Sequence, residues 1–159
     1  MENLNQLKQL LVASDSTPKQ IVITAHRNPD GDAIGSSLAL YHFLQKYGHH
    51  IHVIFPSEFP DFVAWMPGSE KIVIYDNDPE QTEALIKDAE MIFCLDFNSL
   101  SRIDKVGEII ARQKATLVMI DHHLDPDDFA DYVLSDPKSS STCELIYVFM
   151  ELLGKQSDL

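Results

Sequence analysis

Short apolar runs alternate along this chain with longer stretches of helical periodicity, and this alternation restricts the possible folds more than any other feature. Strands are predicted at 20–25, 51–55, 71–75, 91–95, 116–120 and 132–134. Helices are predicted at 1–14, 33–47, 79–87, 101–112 and 142–153. Parallel strands need crossover connections, which are usually helices. We therefore predict an α/β fold with a mostly parallel sheet and helices on both faces.

The composition indicates one globular domain. The 159 residues are 45% hydrophobic, and no linker rich in Pro, Gly or Ser divides them. No apolar run approaches the roughly 20 residues that a membrane helix needs, and the N-terminus lacks the pattern of a signal peptide. Cys94 and Cys143 have neither metal-binding nor redox spacing, so we predict two buried thiols in a reducing cytoplasm.

The formal net charge is −13, which is unlike that of proteins that hold long nucleic acid by electrostatic attraction. An anionic substrate would be repelled by this surface. Metal ions or another domain would therefore have to attract it.

A histidine and two aspartates crowd into the turn after the first predicted strand. His26, Asp30 and Asp32 fall within seven residues, in the sequence His-Arg-Asn-Pro-Asp-Gly-Asp-Ala-Ile-Gly-Ser. Such a turn lies where a parallel sheet usually binds its ligands. The three side chains therefore indicate half of a metal site. A simpler alternative is a polar turn in which Asp32 caps the following helix.

Two further predicted strands end in acidic or imidazole side chains. Asp96 follows one strand, and Asp121, His122 and His123 follow another. The carboxyl ends of parallel strands share one edge, so these groups should converge with the first turn. Several carboxylates brought so close would repel one another unless cations compensated them. Oxygen and imidazole donors without thiolate favour manganese or magnesium over a structural zinc.

These motifs resemble the DHH phosphoesterase family, in the family's order and from about Ile21 to Leu153. The Asn-Pro-Asp-Gly-Asp-Ala-Ile-Gly-Ser segment is most similar to the branch of bifunctional oligoribonucleases and adenosine bisphosphate (pAp) phosphatases, the nanoRNases. Manganese pyrophosphatases of similar architecture usually carry threonine where this chain has Gly31.

The resemblance implies two divalent metal ions, manganese first, with magnesium or cobalt as alternatives. By the family pattern, His26 and Asp30 bind one ion, and Asp32 and His122 bind the other. Asp96 bridges both ions. Hydrolysis then needs no nucleophile from the protein.

The resemblance also implies a catalytic set of His123, Asp96 and Asp121. His123 would face the substrate phosphate, as a hydrogen-bond donor or as a proton source for the leaving oxygen. Asp121 would orient a neighbouring imidazole.

The last predicted helix begins with the Ser-x-x-Glu spacing of a capping box, at Ser141 and Glu144. Its free backbone N–H groups would then point toward the same edge of the sheet and could receive a phosphate. We predict Ser141 and Thr142 as substrate-binding residues, with a purely structural cap as the alternative.

One expected ligand has no counterpart in this sequence. The family's second ion takes another aspartate from a later Thr-Asp-Thr-Gly strand, and Asp158 in the polar tail does not match it. The family's smaller C-terminal, substrate-binding domain is also absent. We therefore interpret residues 1–159 as a truncated N-terminal DHH domain, and expect it to be much less active than an extended version.

The implied function is hydrolysis of short oligoribonucleotides, of pAp, or of both, in the cytoplasm. The expected partners are short RNA or small phosphorylated nucleotides, not long duplexes or membranes, and a homodimer remains open. One alternative is a cyclic-dinucleotide or pyrophosphate hydrolase with the same metal core. Another is a nucleotide-binding module without turnover.

Other polar and aromatic residues receive simpler interpretations. His49, His50 and His52 are interpreted as a solvated strand start, and Trp65 as a core or packing residue. Arg27 is assigned to a surface salt bridge, with a phosphate contact as the alternative.

Overall fold

The computed structural model describes residues 1–154, so Asp158 lies outside the described residues. The strands are β1 (Gln20–Thr24), β2 (His50–Phe55), β3 (Val73–Ile74), β4 (Met91–Leu95), β5 (Thr116–Asp121) and β6 (Tyr132–Ser135). The α-helices are α1 (Leu4–Leu11), α2 (Gly31–Gln45), α3 (Pro79–Asp88), α4 (Asp104–Ala111) and α5 (Thr142–Gly154). Within residues 1–154, no helix has the length and apolar content to cross a membrane.

All six strands form one parallel sheet in the order β3-β2-β1-β4-β5-β6. The strand order reverses between β1 and β4, so the connections that follow these two strands leave the sheet in opposite directions. This reversal opens a crevice at the carboxyl ends of the two strands. The topology confirms the predicted α/β fold and places β1, β4 and β5 side by side.

Two hydrophobic clusters cover the two faces of the sheet. Alternate residues of β1 separate to opposite sides, with Ile21 and Ile23 in one cluster and Val22 in the other, as the two-residue period of a strand requires. Helices α1, α2 and α5 contribute to the first cluster, and α3 and α4 to the second. The prediction of helices on both faces is confirmed.

Several element boundaries differ from the predicted ones because of local caps and turns. Helix α2 begins at Gly31 rather than Ala33, because the Asp30 carboxylate accepts a hydrogen bond from the Ala33 N–H (2.9 Å) and caps the helix. The alternative that Asp32 caps this helix is therefore wrong. The predicted strand at 71–75 is reduced to Val73–Ile74, since a short 3₁₀ turn occupies Ser69–Lys71.

Three interpretations of single side chains are also wrong. His49 is buried, because its Nδ1 accepts from the Lys19 N–H (3.1 Å) and its Nε2 donates to the Leu11 carbonyl (2.8 Å). Trp65 is 75% exposed, because it lies in a surface loop between short 3₁₀ turns. The Cys143 residue is exposed at the start of α5, whereas Cys94 is buried as predicted.

Candidate metal centre at the carboxyl edge of the sheet

The predicted ligands converge at the crevice between β1 and β4. The turn from β1 to α2 carries His26, Asp30 and Asp32, and the end of β4 carries Asp96. The end of β5 carries His122 beside them. Because β1 and β5 both pair with β4, the three strand ends are neighbours, although their residues are far apart in the sequence.

The first group of ligand atoms belongs to His26, Asp30 and Asp96, and these atoms all lie within 4.8 Å of one another. The His26 Nε2 is 3.1 Å from Asp96 Oδ2 and 3.7 Å from Asp30 Oδ1. The His26 Nδ1 donates to the Arg27 carbonyl (2.7 Å), which leaves Nε2 directed at the two carboxylates. This is the ligand set expected for one ion.

The second group lies on the opposite side of Asp96. The His122 Nε2 is 3.6 Å from Asp96 Oδ1 and 3.6 Å from Asp32 Oδ2. A ligand atom of His123 also lies within 4.8 Å of those of Asp96 and His122, so this imidazole is closer to the group than the sequence suggested. The two oxygens of Asp96 therefore face different groups, as a bridging carboxylate requires.

Asp96 is almost completely buried and has a left-handed backbone, with φ at 62°. Aspartate and asparagine tolerate this conformation better than most residues. The Asp96 N–H donates to the Ile120 carbonyl (3.1 Å), so the turn that ends β4 is fixed to β5. Residues held in such conformations cluster at functional sites, so buried Asp96 is a candidate functional residue.

Hydrogen bonds and burial change the acidity of two of these groups. The hydrogen bond to Asp96 raises the pKa of His26 from 6.5 to about 9, with a smaller contribution from the Arg27 carbonyl and despite the opposing effect of burial. Burial alone would raise the pKa of Asp32, but the N–H groups of Thr142 and Cys143 donate to its carboxylate, and the pKa is lowered. Without a metal, His26 thus carries the positive charge that faces Asp96.

We expect the metal-free protein to lose stability as the pH rises from about 6.5 to about 9. The pKa of His26 is higher in the folded state than its ordinary value, so its contribution to the free energy of unfolding is complete below pH 6.5 and disappears as the pH passes through about 9. Urea denaturation in EDTA across this range measures the change. The Asp96→Asn variant is the control, because it removes the charge that raises the pKa of His26. The stability of this variant should vary less with pH. An equally steep dependence in both proteins would contradict this origin.

Asp121 lies behind His123 and is fully buried. Its Oδ1 is 2.6 Å from His123 Nδ1, and its Oδ2 accepts from the His123 N–H (3.0 Å). The carboxylate therefore holds both the backbone and the imidazole of His123, and the Nε2 of the ring has no bond to Asp121.

The first turn of α5 was expected to offer free N–H groups to a phosphate, but the structure shows these groups bonded within the protein. Ser141 Oγ accepts from the Glu144 N–H (3.1 Å), which is half of the capping box, but the Glu144 carboxylate accepts from the Ser140 N–H (2.7 Å) instead of that of Ser141. The next two N–H groups, of Thr142 and Cys143, donate to Asp32. The N–H groups expected to be free for a phosphate are therefore engaged by the protein itself.

Sequence reasoning missed the contact of Thr142 but anticipated that of Arg27. Thr142 is buried, and its hydroxyl donates to Asp96 Oδ1 (3.0 Å) rather than facing a substrate. Arg27 forms a salt bridge with Asp76 (2.7 Å), which agrees with its simpler interpretation. The capping-box pattern indicated where α5 begins, but no local pattern indicated which carboxylates that helix end would meet.

The donor set fits divalent metal ions. Asp30, Asp32 and Asp96 bring three carboxylates to one crevice, together with the imidazoles of His26 and His122. Within residues 1–154, these carboxylates form ion pairs with histidines only. Oxygen and imidazole donors around an excess of negative charge are typical of manganese and related ions.

Comparison with known proteins finds a matching family model and several similar proteins. The model of the DHH family, N-terminal domain, matches residues 20–159. The chain is 32% identical over 134 residues to the bifunctional oligoribonuclease and PAP phosphatase NrnA of Thermus thermophilus, covering 84% of this chain and 37% of that protein. It is 27% identical over 164 residues to the cyclic-di-AMP phosphodiesterase PdeA of Listeria monocytogenes, covering 96% of this chain and 23% of that protein.

A solved structure has the same fold. An exopolyphosphatase-related protein from Bacteroides fragilis superposes with a TM-score of 0.90 at 44% identity, covering 98% of this chain and 44% of the other. The chain thus spans less than half the length of each of these three proteins.

Proposed function

This chain belongs to the DHH family, and we propose that it is a two-metal-dependent phosphoesterase that hydrolyses short oligoribonucleotides, pAp or both. The observation that carries the proposal is the position of Asp96, with one carboxylate oxygen 3.1 Å from His26 and the other 3.6 Å from His122. This arrangement supports two ion sites that share one buried ligand. The family membership supports hydrolysis of a phosphoester as the reaction.

In this proposal, His26, Asp30 and Asp96 hold one ion, and Asp32, His122 and Asp96 hold the other. When bound, the two ions supply Lewis acidity and neutralise the charge that develops on the phosphoryl oxygens. The imidazoles must be neutral to bind, so His26 gives up its proton when the first site fills. Manganese is the proposed metal, because it accepts both carboxylate and imidazole donors.

His123 is the proposed proton donor to the leaving oxygen. Its Nδ1 is held by the buried carboxylate of Asp121, which fixes the orientation of the imidazole. Asp121 acts only through His123 and is therefore a positioning residue. Ser141 is retained as a proposed substrate contact, whereas the hydroxyl of Thr142 is already used by Asp96.

The choice of substrate rests on similarity to NrnA, whose name gives oligoribonucleotides and PAP. The similarity to PdeA favours a second candidate, hydrolysis of a cyclic dinucleotide by the same metal centre. Because the chain covers 37% and 23% of these proteins, substrate contacts outside it are part of either proposal. The alternative of a binding module without turnover stays a separate hypothesis.

A direct assay separates these candidates. The purified chain is incubated with manganese and with a short oligoribonucleotide, pAp or cyclic di-AMP in parallel, and products are separated by chromatography. We expect mononucleotides from the first substrate and phosphate from the second, and EDTA should abolish both. Opening of the cyclic dinucleotide alone would support the second candidate. Binding of the nucleotides without any product would contradict an enzymatic function for this chain.

A further inference from the structure

Thr142 connects the first turn of α5 to two of the proposed metal ligands. Its side chain is completely buried, and its hydroxyl donates to Asp96 Oδ1 (3.0 Å). Its backbone N–H donates to Asp32 Oδ2 (3.0 Å). One residue therefore contacts a ligand proposed to be shared by both ions and a ligand proposed for the second ion.

The Asp32 carboxylate is held at both of its oxygens. Oδ2 accepts from Thr142, and Oδ1 accepts from the N–H of Cys143 (2.8 Å). The N-terminus of a helix carries partial positive charge, so it favours an ionised carboxylate in this position. Two hydrogen bonds from consecutive backbone groups fix the plane of the carboxylate as well as its location.

The hydroxyl of Thr142 is not needed to cap the helix. Ser141 already satisfies the Glu144 N–H, which is the usual task of a side chain at this end of a helix. A buried hydroxyl must nevertheless find a partner, and the partner here is Asp96. Each carboxylate oxygen has two acceptor positions, so Asp96 Oδ1 can accept from Thr142 and still bind a cation.

A close contact between α2 and α5 brings this helix end within reach of Asp32. A Cβ atom at Gly35 would lie 3.1 Å from Cys143 Sγ, so the two helices approach closely at this glycine. Leu145 and Phe149 anchor the same helix in the hydrophobic cluster of that face. Helix α5 is therefore seated by packing, and its first turn is fixed over the crevice.

We propose that Thr142, at the N-terminus of α5, is a positioning residue of the metal centre. It orients the carboxylates of Asp96 and Asp32 so that they can bind ions. This inference rests on the proposed function, because it takes both aspartates as metal ligands. It assigns Thr142 to the metal centre rather than to the substrate. It also makes ion binding depend on the docking of α5 against α2.

The test compares Thr142→Val with Thr142→Ser. Valine keeps the shape and the backbone N–H but removes the hydroxyl, whereas serine keeps the hydroxyl and removes the methyl group. We expect Thr142→Val to weaken manganese binding by about 10–100-fold in calorimetric titration, the range known for groups that orient metal ligands. Thr142→Ser should stay within a few-fold of the native protein. Urea denaturation in EDTA is measured for all three proteins, so that loss of fold is separated from loss of affinity.

Native manganese affinity in Thr142→Val would overturn the proposal. So would equal losses in both variants, because the loss would then not depend on whether the hydroxyl is present. The binding readout requires no turnover. If manganese binding depends on the hydroxyl while no phosphoester is hydrolysed, the positioning role stands and the proposed enzymatic function fails.

Discussion

Asp96→Asn is expected to abolish manganese-dependent hydrolysis and to remove both metal ions from the protein. Asn has one side-chain oxygen where Asp96 offers two, and it lacks the negative charge that faces both His26 and His122. Loss of a group that only orients a ligand already costs about 10–100-fold, so we expect loss of a shared ligand to exceed about 100-fold in activity. Activity assays and manganese titration measure the two effects.

Asparagine is chosen because it preserves the backbone at this position. The φ of Asp96 is 62°, a conformation that asparagine adopts readily and alanine does not. The side-chain oxygen of asparagine can also still accept from the Thr142 hydroxyl. An alanine variant would mix the loss of a ligand with backbone strain and an unsatisfied buried hydroxyl.

Asp125→Asn is the matched control for this substitution. Asp125 also has a positive φ, of 56°, but it is exposed and belongs to neither ligand group. The control therefore reproduces the change in charge and the backbone conformation without touching the crevice. Asp125→Asn should bind manganese and hydrolyse substrate at the native level. If Asp96→Asn also retains both properties within a few-fold, the two-ion proposal is wrong.

Gly107→Ala is expected to destabilise the protein by about 1–3 kcal/mol or more, as overpacking of a buried site does. Gly107 is a buried residue in the middle of α4. A Cβ atom there would lie 2.0 Å from the Leu100 carbonyl oxygen and 2.9 Å from its carbon. Both atoms belong to the backbone, so no side-chain rotation relieves the overlap. The 3₁₀ turn Leu100–Ile103 or the whole helix would have to move.

Urea denaturation in EDTA measures this loss, and Gly31→Ala is its control. Gly31 is also helical, but a Cβ atom there would meet nothing within 4 Å. The free energy of unfolding of the Gly31→Ala variant should differ from that of the native protein by less than about 1 kcal/mol, the usual difference between glycine and alanine in a helix. A Gly107→Ala variant as stable as the native protein would contradict the packing of α4 against the turn at Leu100.

The helix boundaries show where prediction from the sequence reached its limit. The apolar period located α2, but either Asp30 or Asp32 could have capped it, because both precede the first periodic residues. Only the structure shows that Asp30 caps α2, whereas Asp32 accepts hydrogen bonds from the N-terminus of α5. The hydrophobicity of Trp65 favoured the prediction of a buried side chain, but the surface loop that contains Trp65 leaves it exposed.

The sequence by itself determined the parallel sheet and the set of residues at its carboxyl edge. Strands β1, β4 and β5 are continuous apolar runs, and each leads directly into a histidine or an aspartate. Since all carboxyl ends of a parallel sheet share one edge, local patterns already place these side chains at that edge, and the strand order makes them neighbours.

Only the tertiary structure decided how those side chains are held. Thr142 lies 46 residues from Asp96 and 110 residues from Asp32, and their hydrogen bonds exist because α5 packs closely against α2 at Gly35. Helical and strand periods describe neighbours along the chain, so they contain no information about which distant donor a carboxylate will meet. Packing of whole elements sets those distances, and with them the geometry of the candidate metal centre.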